Sequence, residues 1–385
     1  LDQSPFYAES GGQIGDNGYL TTTSVRVMIE NTMKQDDIWF HVGVVEEGSI
    51  EMNDTVNAEI IVDRRLSIMR NHTATHMLQY ALNKVLGDNV KQQGSLVTEE
   101  RLRFDFTHHK QISALELKQI EDIVNMLTRA CDEIKTEELP IEEANKIGAK
   151  SFFEEKYGDV VRVVSIGNYS KEFCGGTHLG STGQIGTFVI TSESAIAQGI
   201  RRIEARTGLG AMQYIDSRNQ ELESVSKLLK APVNELTDKV KQQTKKIKNL
   251  EDQLAQLRFE SIKNSIDAIL ENAQTINGIQ FITEIFEDED MTTLRKVCDL
   301  LKQKSKSSII ALGSRSKDSA TILVAATNDA IAKGYKANDI INSVAPIIDG
   351  SGGGKPQMAQ AGGKNTANLD KAFAELKQVI LHGKE

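Results

Sequence analysis

The chain has 385 residues, 39% hydrophobic and 26% charged, with a net charge of −9 and a mean hydropathy of −0.33. That length suffices for two or three domains with their own cores, and no apolar run approaches the ~18 residues of a membrane span. Residues 1–213 hold 31 acidic against 21 basic residues while 271–385 hold 14 of each, so RNA contact through a global positive field is excluded and local patches would have to serve.

The chain opens at Leu1, without methionine and directly in patterned sequence, which suggests a fragment or a processed product. Residues 1–62 alternate β-like runs at 23–30, 38–45 and 55–62 with turn signals at Gly11-Gly12, Gly15-Asp16-Asn17-Gly18 and Glu46-Glu47-Gly48. A small antiparallel barrel is the simplest account. Arg64-Arg65 then leads into Asn71-His72-Thr73-Ala74-Thr75-His76, at the head of the apolar pattern Met77, Leu78, Tyr80, Ala81, Leu82, Val85 and Leu86. The pattern predicts a helix, and 3.6 residues per turn puts His72 and His76 on one face.

Residues 96–106 read as a strand, 114–131 and 140–146 as helices, and 160–166 and 185–193 as strands, a mixed α+β order with an antiparallel sheet. Between the last two strands lies Phe173-Cys174-Gly175-Gly176-Thr177-His178. Its cysteine and histidine repeat the four-residue spacing, and the two pairs together supply three imidazoles and one thiolate, the ligand number and type that tetrahedral zinc prefers. Threonine at 73, where a metalloprotease helix carries its glutamate base, excludes that enzyme class. The three cysteines, Cys131, Cys174 and Cys298, are widely spaced and odd in number, which argues for a reducing cytoplasm and against a disulfide framework.

From Leu236 the apolar residues Val240, Ile247, Leu250, Leu254 and Leu257 follow coiled-coil spacing, with Gln243 as a polar seam position. So exposed a helix needs a partner, within the chain or from a second copy. Lys239, Lys241, Lys245, Lys246 and Lys248 crowd the same stretch, as a solvated face or a phosphate-contacting patch. Residues 271–385 form an α/β unit with strands at 307–312 and 320–326 and helices at 291–303, 337–347 and 369–381. Between the last two helices stand Gly350, Gly352, Gly353, Gly354, Lys355, Gly362, Gly363 and Lys364; such a block permits positive φ, and its free N–H groups are suited to cradling phosphate.

Leu1-Asp2-Gln3-Ser4-Pro5-Phe6-Tyr7-Ala8-Glu9-Ser10-Gly11-Gly12-Gln13, the His72 and Cys174 motifs, Gly94-Ser95-Leu96, Arg103-Phe104-Asp105-Phe106 and Arg201-Arg202-Ile203-Glu204-Ala205 resemble the editing region of the alanyl-tRNA synthetases. Met358-Ala359-Gln360-Ala361-Gly362-Gly363 and the preceding glycines resemble that family's C-terminal domain, itself similar to the C-terminal domain of DHH-type phosphoesterases. The expected organisation is a barrel subdomain at 1–62, a zinc-binding editing core at 63–213, a helical coiled-coil linker at 214–270 and a Gly-rich tRNA-binding and dimerisation domain at 271–385. The aminoacylation domain, with its ATP chemistry, would precede Leu1, so this polypeptide is expected to leave alanine unactivated.

The resemblance implies a cytoplasmic proofreading hydrolase that cleaves seryl- or glycyl-tRNA(Ala) and spares the alanyl ester, with tRNA(Ala) as partner and a homodimer as a further expectation. It makes His72, His76, Cys174 and His178 the ligands of one Zn2+, Thr75 a reader of the serine side chain or a positioner of water, and Gln92 and Ser95 polar residues of the same pocket. Cys174 carries a second, catalytic expectation: either it yields its coordination to substrate, or the zinc anchors the substrate while nearby polar groups orient water, which is the preferred reading. Gly352, Gly353, Gly354, Lys355, Gly362, Gly363 and Lys364 are the implied tRNA contacts. Gln184 and Gln357 depart from the aspartates common in the family. A free-standing deacylase and a non-catalytic tRNA-binding module with structural zinc are the rivals; a phosphoesterase would need an aspartate-histidine metal cluster that the chain lacks.

Overall fold

A computed structural model describes residues 1–36, 38–151 and 158–382. It divides into two compact units, Leu1–Val233 and Asn234–Glu385, and is mixed α+β with several sheets. No helix among the described residues is long and apolar enough to cross a membrane.

In the first unit, β1 (Gly18–Thr21), β2 (Arg26–Gln35), β3 (Ile38–Glu47) and β4 (Asn57–Ile60) form an antiparallel sheet in the order β3-β2-β1-β4. Leu20, Val27 and Ile29 point to one face and build a small core with Phe6 and Val25. The barrel expected for 1–62 is an open sheet: no ladder joins β3 to β4 among the described residues, which leaves these two strands as its edges.

Helix α1 (Val62–Leu86) carries the first histidine pair and is buried continuously from Asn71 to Gln79, so it has protein on every side instead of one apolar face against a partner. Asn71 anchors it: its side-chain nitrogen donates to the Thr98 carbonyl at 2.8 Å, and its oxygen accepts from the Thr207 hydroxyl at 2.7 Å. Strands β5 (Gln92–Val97) and β6 (Leu102–Thr107) pair as a hairpin. The single strand expected over 96–106 is therefore folded back, at a turn where the Thr98 hydroxyl accepts from the N–H groups of Glu100 and Arg101.

Helix α2 (Ala114–Ala130) starts at a capping box of Ser113 and Glu116. Then come β7 (Ile134–Pro140), α3 (Ile141–Lys146), β8 (Val160–Ile166) and β9 (Ser170–Phe173), the strands forming an antiparallel sheet in the order β7-β8-β9. β10 (Phe188–Ala197) and β11 (Ile200–Thr207) complete the sheet β10-β11-β6-β5, and α4 (Gly208–Leu229) closes the unit. Met77, Leu78 and Leu82 of α1 pack with Phe104, Phe106 and Ile120 in the central core. Gln184 supplies what its turn needs, its amide oxygen accepting from the Gly180 and Ser181 N–H groups.

The second unit begins with α5 (Leu236–Glu271), followed by β12 (Gln274–Ile276), β13 (Ile279–Glu287), α6 (Met291–Lys304), β14 (Ser308–Arg315), β15 (Ala320–Ala326), α7 (Asn328–Ala332), α8 (Ala337–Val344), β16 (Gly350–Lys355), β17 (Met358–Gly363) and α9 (Leu369–His382). The strands lie in the order β12-β13-β14-β15-β17-β16, with β13 and β14 parallel. On β14, Ile309 and Ala311 face a core shared with α8 and α9, whereas Ile310 and Leu312 face one shared with α6 and the end of α5, so the sheet is covered on both sides. The α5 helix is present where the heptad pattern placed it, but the seam residues Val240, Ile247, Leu250, Leu254 and Leu257 are 49–63% exposed.

The glycine block forms a β-hairpin at the edge of the sheet, β16 against β17, with the backbone groups on the paired side engaged in the ladder. Glycine is needed there for closeness: a Cβ at Gly350 or Gly363 would overlap the backbone of Gly362 or Ile348, and only Gly354 in the block has positive φ (154°).

Candidate metal centre and substrate cavity

One turn of α1 stacks His72 on His76 with ring centroids 5.4 Å apart. The loop after β9 brings Cys174 and His178 to the same place, and the four ligand atoms lie within 4.8 Å of one another. Cys174 Sγ is 3.4 Å from His72 Nε2 and 3.2 Å from His178 Nε2. Tetrahedral zinc, with bonds of ~2.3 Å to sulfur and ~2.05 Å to nitrogen, needs N···S edges of about 3.5 Å, so the cluster has the size of such a site.

Each imidazole is gripped at its other nitrogen. His72 Nδ1 meets Gln13 Oε1 at 2.6 Å, His76 Nδ1 meets Glu172 Oε2, and His178 Nδ1 meets Thr73 Oγ1 at 3.2 Å. The remaining carboxylate oxygen of Glu172 accepts from Ser170 Oγ at 2.9 Å. His76 Nε2 is buried without a hydrogen-bond partner, a costly state that a metal ion would relieve. Donor set, spacing and orphaned nitrogen together fit zinc. Gly176 keeps the loop close, since a Cβ there would overlap the His72 ring, and Arg162 holds it by donating to the carbonyls of Cys174 at 2.7 Å and Gly176 at 2.6 Å.

Burial works against a charged Cys174, but His72 and His178 outweigh it and hold the thiol well below its ordinary range. Burial likewise opposes a charged His76, where the Glu172 carboxylate prevails and raises the imidazole above its usual value. At His178 burial wins and the pKa falls.

The cluster forms one wall of a cavity of about 270 Å³. Thr75, Gln92, Ser95 and Cys174 all line it, as do His72 and His76, while His178 sits behind them. Thr75 Oγ1 donates to the Asn71 carbonyl at 2.9 Å, which commits its proton and leaves the oxygen as an acceptor. Gln79, Arg162 and Glu172 also line the cavity, with no local sequence pattern to mark them; Tyr7 and Ser10 of the N-terminal motif line it as well, and Gln13 of the same motif supports His72. In the second unit Gly352, Gly353 and Gly362 line a shallow depression with Ser351 and Gln360; Gly354, Lys355, Gly363 and Lys364 lie outside it, and both lysines are exposed.

Three family profiles match: tRNA synthetases class II (A) over residues 1–64, the threonyl and alanyl tRNA synthetase second additional domain over 161–204, and the DHHA1 domain over 278–381. The chain is 41% identical over 383 residues to the alanine–tRNA ligase of Alkaliphilus oremlandii and 42% identical over 381 residues to that of Acetivibrio thermocellus. Each alignment covers 99% of this chain but only 44% and 43% of those proteins, so the chain spans less than half their length. Among solved structures, the C-Ala domain of Aquifex aeolicus alanyl-tRNA synthetase aligns with 29% of this chain and 98% of that one, at 24% identity and a TM-score of 0.27.

Proposed function

The chain belongs to the alanyl-tRNA synthetase family, and from that premise we propose that its first unit is a proofreading esterase acting on seryl- and glycyl-tRNA(Ala). The observation that carries the reading is the meeting of the His72, His76, Cys174 and His178 cluster with a cavity that Thr75, Gln92 and Ser95 also line. A synthetic pocket sized for a methyl group rejects hydrogen or hydroxymethyl by only ~1–3 kcal/mol, so a second, differently shaped sieve is needed.

The four ligands would hold one Zn2+, which when bound supplies Lewis acidity and an anchoring point at that wall. Thr75 does the selecting. Its free acceptor receives a hydrogen bond from the hydroxyl of a serine side chain, whereas alanine's methyl would strip water from that oxygen and give nothing back, at a cost of about 1–3 kcal/mol. Glycine brings no group that must be matched. Gln92 and Ser95, on β5 across the cavity, orient a water toward the ester carbonyl carbon. The C–O bond to the ribose breaks, the water's oxygen stays with the amino acid, and its proton passes to the departing ribose oxygen. Cys174, half-buried where the three imidazoles are buried, faces the substrate together with His72 and His76.

One observation favours a rival: four protein ligands are typical of a closed, structural zinc. Incubation of the chain with seryl- and alanyl-tRNA(Ala) separates the two readings. An editing site hydrolyses the seryl ester far above its spontaneous rate and leaves the alanyl ester alone; a structural zinc in a binding module leaves both at the spontaneous rate.

The second unit is proposed to hold tRNA through Lys355, Lys364 and the exposed glycines of β16 and β17, and the uncovered stripe of α5 is proposed to meet a second helix, from the same chain or a second copy. Attachment of alanine is proposed for a polypeptide of the relatives' full length.

A further inference from the structure

Gln13 stands apart from both ligand motifs, yet it is fully buried against them. Its amide oxygen lies 2.6 Å from His72 Nδ1 and accepts from the Thr177 N–H at 2.9 Å, while its amide nitrogen donates to Thr177 Oγ1 at 2.8 Å. The orientation of the amide follows from chemistry: a backbone N–H can only donate, so the atom facing Thr177 N must be oxygen, and that same oxygen then obliges His72 Nδ1 to carry its hydrogen. His72 Nε2 is left as a bare lone pair on the cluster side. One side chain thus touches the helix that carries the first ligand pair and the loop, between Cys174 and His178, that carries the second.

The backbone around Gln13 is fixed in turn. Gln13 N–H donates to Ser10 at 3.0 Å, Ile14 N–H to Val97 at 3.2 Å, and Val97 N–H to Gly12 at 2.7 Å, which ties this turn to β5. Ser10 and Gly11 of the same turn line the cavity.

We infer that Gln13 is a positioning residue of the metal centre: the N-terminal segment completes the site by locking His72 in its Nε2-binding tautomer and clamping the Cys174–His178 loop against α1. This rests on the zinc reading above. Outer partners of ligating histidines are worth roughly 10–100-fold in metal affinity.

The test compares the full chain with Gln13→Met, which keeps the bulk and loses the acceptor, Gln13→Ala as a second loss variant, and Gln13→Glu, which keeps oxygens facing His72 and Thr177. Zinc affinity is read by competition with a chromophoric chelator, site geometry from the absorption of the cobalt(II)-loaded proteins, and folding from the thermal midpoints of the metal-free proteins. The expected result is a loss of about 10–100-fold in zinc affinity and an altered cobalt spectrum for the Met and Ala variants, with most of the affinity and the wild-type spectrum restored in the Glu variant. Wild-type affinity and spectrum in the loss variants would overturn the inference, as would a Glu variant as defective as the Met one. A wild-type chain that holds no zinc is a different failure, that of the zinc reading itself.

Discussion

Thr75 shows how a side chain's local bond decides what it offers a ligand. A threonine inside a helix commonly donates to the carbonyl four residues back, and here it does so to Asn71, leaving an acceptor in the cavity wall. Thr75→Val keeps the shape and deletes that acceptor. The expected outcome is a fall of about tenfold, ~1.4 kcal/mol, in kcat/KM for the seryl ester with little change for the glycyl ester. Equal losses on both would show that Thr75 does not read the serine hydroxyl. The four proposed ligands were legible in the sequence because each pair is local, four residues apart. Their supports were not: Gln13 reaches His72 across 59 positions and Glu172 reaches His76 across 96, and no local pattern announces such a meeting.

The same contrast governs the elements. Apolar patterning located α2, β8 and β15 to within a residue because buried side chains set it; on α1 it marked the helix from Asn71 onward and did not show the turns from Val62 to Arg70. The glycine block gave no local signal of its hairpin: glycine permits turns, but at Gly350 and Gly363 it permits backbone to approach too closely for a Cβ. Coiled-coil spacing on α5 located the helix without locating a partner for it. Asn71 is a polar anchor at the start of the continuously buried stretch of α1. Asn71→Ala deletes bonds to Thr98 and Thr207 inside the core, and should lower stability by about 1–3 kcal/mol in urea denaturation. A change below ~0.5 kcal/mol would mean the anchor is dispensable. Gly176→Ala is expected to displace the metal loop, so that metal analysis of the purified variant finds well below one zinc per chain; full zinc content would mean that the loop yields without cost.

At the scale of the molecule, the chain forms two units with separate cores, and the proposed function assigns the ester chemistry to the first and tRNA binding to the second. Residues 1–233 contain the whole cluster and cavity, so that fragment alone should fold cooperatively and retain one zinc and the seryl-ester hydrolysis, with weaker binding of tRNA than the full chain. A fragment that folded and bound zinc but had lost hydrolysis at saturating tRNA would place part of the reaction in the second unit. Whether the cluster and the cavity form one working site is decided by stripping the metal with a chelator, confirming the fold by circular dichroism, and titrating zinc back while following seryl-tRNA(Ala) hydrolysis. Activity should vanish on stripping and return in proportion to zinc, saturating at one ion per chain; undiminished hydrolysis by the folded, zinc-free protein would separate the cluster from the reaction.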